Sequence, residues 1–135
     1  WIQLHGPESA HRVEAIRAEA GVEIMKALPI GSAEDVGHVA DFVDIADRIL
    51  LDAKPPKGAD RPGGLGDTFD WALLKALDPS IPFMLSGGLT PETVAEAIKT
   101  VRPFGVDVSS GVESAPGVKD KALIEAFIRN ARAAV

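Results

Sequence analysis

The chain has 135 residues, of which 46% are hydrophobic and 25% charged, with 13 Gly, 10 Pro and no Cys; this is the composition of one ordinary soluble domain and excludes disordered, collagenous and disulfide-stapled classes. Twenty acidic against fourteen basic residues leave a formal charge of -6 with no basic cluster, so a small-molecule partner is expected and an electrostatic grip on nucleic acid is not. No run approaches the roughly 18 apolar residues of a membrane span and no secretory leader is seen, the three His (His5, His11, His38) lack paired metal-ligand spacing, and a cytoplasmic protein without a metal is the expectation.

In chain order, five short apolar runs have strand length: Trp1-Ile2-Gln3-Leu4, Val22 to Leu28, Ile49-Leu50-Leu51, Ile81 to Leu85, and Gly105-Val106-Asp107-Val108. Because Trp1 leads straight into an apolar run, the chain reads as part of something longer. Helical spacing follows each strand, at Val13/Ile16/Ala20, Val36/Val39/Ala40/Val43, Leu73/Leu74/Leu77, Val94/Ile98/Val101, and Leu123/Phe127 with Ile124/Ile128. Gly21 provides a stop for the first helix, Ser32 with Asp35 resembles a capping box, Asp67 and Thr68 can cap the third, and Thr90-Pro91-Glu92 opens the fourth. The unit βα repeated five times implies a parallel sheet with right-handed crossovers. Two architectures fit: an open five-stranded doubly wound sheet, or five of the eight units of a (β/α)₈ TIM barrel. The whole chain, 1–135, reads as one domain, and its long irregular stretch, Ala53 to Asp67, has the length of a functional loop.

In either architecture ligands sit at the carboxyl ends of strands. There the sequence places His5-Gly6, Pro29-Ile30-Gly31, Asp52-Ala53-Lys54, Ser86-Gly87-Gly88-Leu89 and Ser109-Ser110-Gly111. Gly87-Gly88 and Ser109-Ser110-Gly111 follow successive strands, so their backbone N–H groups and hydroxyls can converge on a phosphate; the alternative is that the glycines only make tight turns. Asp52 ends an apolar strand, where desolvation would raise its pKa as a general acid requires, unless it caps a turn or pairs with Lys54. Asp107, between Val106 and Val108, points opposite to them and into a barrel interior, either for catalysis or held by local donors. His5 could orient or protonate a substrate or be a satisfied structural group. Gly63-Gly64-Leu65-Gly66 could cradle a phosphate or hinge a lid. Phe69 and Trp71 read as core, and Asp41, Asp44 and Asp47 as a solvated helix face.

Taken together, Ile2 to Gly6, Leu50 to Lys54, Gly63 to Gly66 with Thr68 to Trp71, Leu85 to Leu89, and Gly105 to Glu113 with Pro116, Gly117, Lys119 and Asp120 strongly resemble phosphoribosylanthranilate isomerase over essentially the whole chain. The resemblance implies strands four to eight of a (β/α)₈ barrel, with the first three βα units upstream of Trp1. Those units would carry the Cys that serves as general base and the Arg that meets the anthranilate carboxylate. It further implies an Amadori rearrangement in tryptophan biosynthesis, without a cofactor, on a small phosphorylated substrate. Asp52 would be the general acid, with Asp107 and His5 near the reacting group. Gly64, Gly66, Gly87, Gly88, Ser109, Ser110 and Gly111 would bind substrate and phosphate. Ser86 stands where the family usually has Ala, and Leu65 where a small hydroxyl residue is common. With no Cys of its own, the chain is expected to be inactive alone and to need the N-terminal units as partner. The competing readings are another phosphosugar barrel, such as an epimerase or an indole-glycerol-phosphate synthase, and a non-catalytic half-barrel that binds phosphate or self-associates.

Overall fold

A computed structural model describes residues 1–53 and 71–135. Its strands are β1 (Ile2–Leu4), β2 (Ile24–Ile30), β3 (Arg48–Ala53), β4 (Phe83–Ser86) and β5 (Gly105–Val106), all parallel and hydrogen-bonded in the order β1-β2-β3-β4-β5. A doubly wound sheet reverses its strand order at a switch point. This sheet never does, which removes that alternative and leaves five consecutive strands of a barrel wall.

The two faces of the sheet bury different things. Ile24, Leu28, Ile30, Ile49, Leu51, Ala53, Phe83 and Leu85 join one core with residues of the helical layer, among them Val13, Val36, Val39, Leu74, Val94 and Phe127. Met25, Ala27 and Leu50, with Met84 against them, form a separate small cluster made only of strand side chains. Period-2 alternation therefore sorts the helix-facing from the inward-facing positions, as in a barrel wall covered on the outside by helices.

Helices α1 (Ala10–Ala20), α2 (Ala33–Gly37) and α3 (Val94–Val101) lie in the crossovers after β1, β2 and β4, and α4 (Lys121–Ala133) follows β5. α1 stops at Gly21, whose left-handed conformation (φ 62°) closes it. Ser32 accepts from the Asp35 N–H at the start of α2, while Asp35 accepts from Gly31 and Ser32. The expected helix over Val36 to Val43 is instead α2 followed by a 3₁₀ turn at His38–Asp41, because Gly37 weakens the helix midway. The Leu73–Leu77 helix is likewise a 3₁₀ segment, Trp71–Ala76, with Leu74 buried and Trp71 half-buried against the core; its expected caps, Asp67 and Thr68, lie outside the described residues. Turn residues 91–93 precede α3, so the helix begins later than Thr90-Pro91-Glu92 indicated. Asp47 is not merely solvated: it binds Arg17 at 2.6 Å and the Ile24 N–H at 2.8 Å, joining α1 to the start of β2. No helix among the described residues is long and apolar enough to cross a membrane.

Lys26 breaks the apolar pattern of β2 and is 1% exposed. Its ammonium donates to Gly6 O at 2.7 Å and Glu8 Oε2 at 2.6 Å, and lies 5.6 Å from the Phe42 ring centre. A buried cation needs such partners. Chiefly through its hydrogen bond, Lys26 holds the Glu8 carboxyl below the usual carboxylate range, opposed in part by burial. A carboxyl lowered by folding contributes stability above its unfolded pKa and loses it as pH falls through the folded value. Glu8→Gln is therefore expected to cost about 2 kcal/mol at pH 7, with the gap between parent and variant closing as the pH drops below the ordinary Glu range. Urea unfolding at a series of pH values checks this, and a pH-independent gap would contradict it.

Candidate active site

The site is built where β3, β4 and β5 end. Asp52 lies opposite Ser86 in the β3–β4 register, and the chain after β5 continues the ladder, since the Asp107 N–H donates to Leu85 O at 2.8 Å. Asp52, Ser86 and Asp107 thus form one row across three neighbouring strands. Ser86 Oγ donates to Asp107 Oδ2 at 3.0 Å. Beside this row is an open cleft of about 370 Å³, lined by Asp52, Ala53, Ser86 to Leu89 and Asp107 to Gly111.

Two glycine positions shape the cleft. Gly87 has φ +90° and packs so closely on β3 that a Cβ there would collide with Ala53 O and lie 2.6 Å from Asp52 Oδ1. At Gly111 an added Cβ would strike Leu89 O and approach Val108 Cγ2 to 3.2 Å. Both loops are thereby held as bare backbone against the row of polar side chains. The peptide N–H groups of Ser110 and Gly111 donate to no partner among the described residues, so they remain available to an oxyanion.

Asp52 departs from expectation in one respect: it is exposed at the rim. Its alternative partner Lys54 is outside the described residues, as are Gly64 and Gly66. His5 stands exposed after β1, with two strand spacings between β1 and β3, or about 10 Å; it shares the rim but does not line the cleft. Ser109 lines the cleft, yet its Oγ and its carbonyl are both occupied by Lys119 Nζ, at 3.1 and 2.8 Å. Sequence reasoning missed this, together with the hairpin that carries Lys119, β6 (Glu113–Ala115) and β7 (Val118–Lys119). It treated Ser86 as a departure from a pattern and not as the partner of Asp107. Among the described residues no group of three or more His, Asp or Glu is placed to hold a metal ion.

A barrel-type α/β protein with its polar row and bare-backbone loops together at the carboxyl ends of the strands belongs to the class that places its chemistry at that face. Residues 1–130 match the family model of N-(5'-phosphoribosyl)anthranilate (PRA) isomerase, and the chain belongs to that family. It is 59% identical over 132 residues to N-(5'-phosphoribosyl)anthranilate isomerase of Rhodopseudomonas palustris (strain BisB18), covering 98% of this chain and 61% of the relative. The phosphoribosyl anthranilate isomerase of Thermotoga maritima superposes with a TM-score of 0.77 at 39% identity, over 97% of this chain and 60% of that one. A phosphoribosyl anthranilate isomerase solved in complex with reduced 1-(o-carboxyphenylamino)-1-deoxyribulose 5-phosphate superposes with a TM-score of 0.73 at 36% identity, over 97% of this chain and 58% of that one. The chain spans about three fifths of the length of the relatives it matches.

Proposed function

We propose that residues 1–135 are five βα units of a barrel that isomerises N-(5'-phosphoribosyl)anthranilate to 1-(2-carboxyphenylamino)-1-deoxyribulose 5-phosphate in tryptophan biosynthesis, and that they carry its acid and its phosphate grip. The observation that carries this reading is the single cleft in which Asp52, Ser86 and Asp107 stand beside Gly87-Gly88 and Ser109-Ser110-Gly111. The phosphate is received by N–H groups of the two loops, which anchors the sugar with its ring oxygen toward the row of carboxylates. Asp52 delivers a proton to that oxygen, the C1'–O bond breaks, and the anthranilate nitrogen lone pair forms the Schiff base. A base then removes the C2' proton to give the enolamine, which tautomerises to the ketone. The chain contains no Cys, so the thiolate base implied by the resemblance lies outside residues 1–135, and these residues alone turn over substrate poorly. Asp107, held by Ser86, faces the sugar hydroxyls, and His5 approaches from the β1 side of the rim.

The reduced 1-(o-carboxyphenylamino)-1-deoxyribulose 5-phosphate is the probe. Titrated into the ¹⁵N-labelled chain, it is expected to move the amide signals of Gly87, Gly88, Ser110 and Gly111. Shifts confined to the opposite end of the sheet, around Phe104, would remove the assignment of this cleft.

A further inference from the structure

Lys119 lies outside the cleft, yet it contacts the loop that lines it. Its ammonium has three N–H donors, and three acceptors surround it: Ser109 O at 2.8 Å, Ser109 Oγ at 3.1 Å and the Glu113 carboxylate at 2.5 Å. Glu113 and Lys119 face each other across the β6–β7 hairpin, a cross-strand position at which opposite charges support the pair. The other oxygen of Glu113 accepts from Gly117 N at the hairpin turn, at 3.0 Å, and the far end is tied by Asp120 N to Val112 O at 2.9 Å. The Lys119 hydrogen bond, followed by that of the Gly117 N–H, keeps the Glu113 carboxyl below its ordinary pKa, so the carboxylate stays charged through the neutral range.

The consequence lies in the Ser109–Ser110 peptide. In a trans peptide the C=O and the following N–H point to opposite sides. Ser109 O is turned to the hairpin by Lys119 and receives Val112 N as well, at 3.4 Å, so the Ser110 N–H is turned away from the hairpin, on the side where Ser110 and Gly111 line the cleft. We infer that Lys119, seated by Glu113, is a positioning residue that presets the Ser110 and Gly111 N–H groups for an oxyanion such as a phosphate ester. The inference rests on the phosphate reading of this loop given above. It assigns Ser109 the job of being held and leaves the gripping to the two residues after it.

Charge and positioning make opposite predictions at Glu113. If Lys119 acted only through its field, removing the neighbouring carboxylate would strengthen anion binding. If Glu113 seats Lys119, removing it releases the loop and weakens binding. Inorganic phosphate, followed by the amide shifts of Ser110 and Gly111 in the ¹⁵N-labelled 135-residue chain, is the probe. Lys119→Met is expected to weaken phosphate about tenfold and Glu113→Ala about threefold, the order of loss that follows from loosening a preset contact. The Lys119 side chain is half-exposed and that of Glu113 largely covered; should Lys119→Met fail to fold, the direction of the Glu113→Ala effect decides the question. Phosphate that moves neither amide in the unsubstituted chain overturns the phosphate reading and the clamp together. Phosphate that binds the parent but is unaffected by the substitutions, or is tightened by Glu113→Ala, overturns the clamp alone.

Discussion

Asp52→Asn is expected to lower isomerase turnover by about 10²- to 10⁴-fold, the range over which a positioned proton donor contributes. The comparison is made in a protein that joins residues 1–135 to the three N-terminal βα units of a family member, so that a base is present. Asn keeps the shape of Asp and cannot deliver the proton, so the loss belongs in kcat more than in KM. Position in the fold sharpens the test. Asp52 is exposed at the rim of β3, opposite Ser86, and a polar replacement at an exposed site of this kind usually changes stability by less than about 0.5 kcal/mol. A structural role for the carboxylate therefore predicts almost no effect on turnover. A variant within about threefold of the parent, far from the 10²-fold floor for such catalysis, would return Asp52 to that role.

Gly87→Ala is expected to destabilise the fold by about 3 kcal/mol, the sum of a left-handed conformation imposed on a residue with a side chain and an overpacked contact. The contact cannot relax cheaply. The new methyl group meets Ala53 O and N, main-chain atoms of β3, which is pinned between β2 and β4. Gly88 supplies the control: its φ is +63°, but nothing lies within 4 Å of an added Cβ. Gly88→Ala should therefore cost only the conformational part, about 1 kcal/mol. Urea unfolding of the two variants measures the difference, and equal losses would contradict the close approach of the two strand ends on which the cleft depends.

Much of the wall was legible because its residues report on their immediate surroundings. Ile24 and Leu28, then Ile49 and Leu51, then Phe83 and Leu85, are apolar where their strands meet the helical layer, with buried Lys26 the exception on β2, and Ser32 with Asp35 states a helix start in four residues. The order of strands was not legible, since local spacing is the same in a doubly wound sheet and a barrel; the resemblance chose, and the register then agreed. Helix type failed at Gly37 and at Trp71–Ala76, where the apolar spacing suits both α and 3₁₀ geometry over so short a span. β5 is shorter than its apolar run, although Asp107 still bonds to Leu85 as the strand would.

At the site, the residues that carry polar groups to the rim were recognisable from position alone, because strand ends announce themselves. Their partners were not. Ser86 and Asp107 are 21 residues apart, Lys119 and Ser109 10, and Lys26 and Glu8 18, so each pairing exists only once the register is fixed. The exposure of Asp52 has a related reason: an apolar strand predicts burial along its length, but its last inward-facing residue opens onto the cleft.

The most direct test of the central claim is the rate at which the joined protein, with residues 1–135 behind the N-terminal units of the Rhodopseudomonas palustris relative, converts freshly generated N-(5'-phosphoribosyl)anthranilate. Isomerisation at a rate comparable to that of the relative itself, against negligible turnover by residues 1–135 alone, is the predicted result. A joined protein that unfolds cooperatively and binds inorganic phosphate at Ser110 and Gly111 but leaves the substrate unchanged would contradict it.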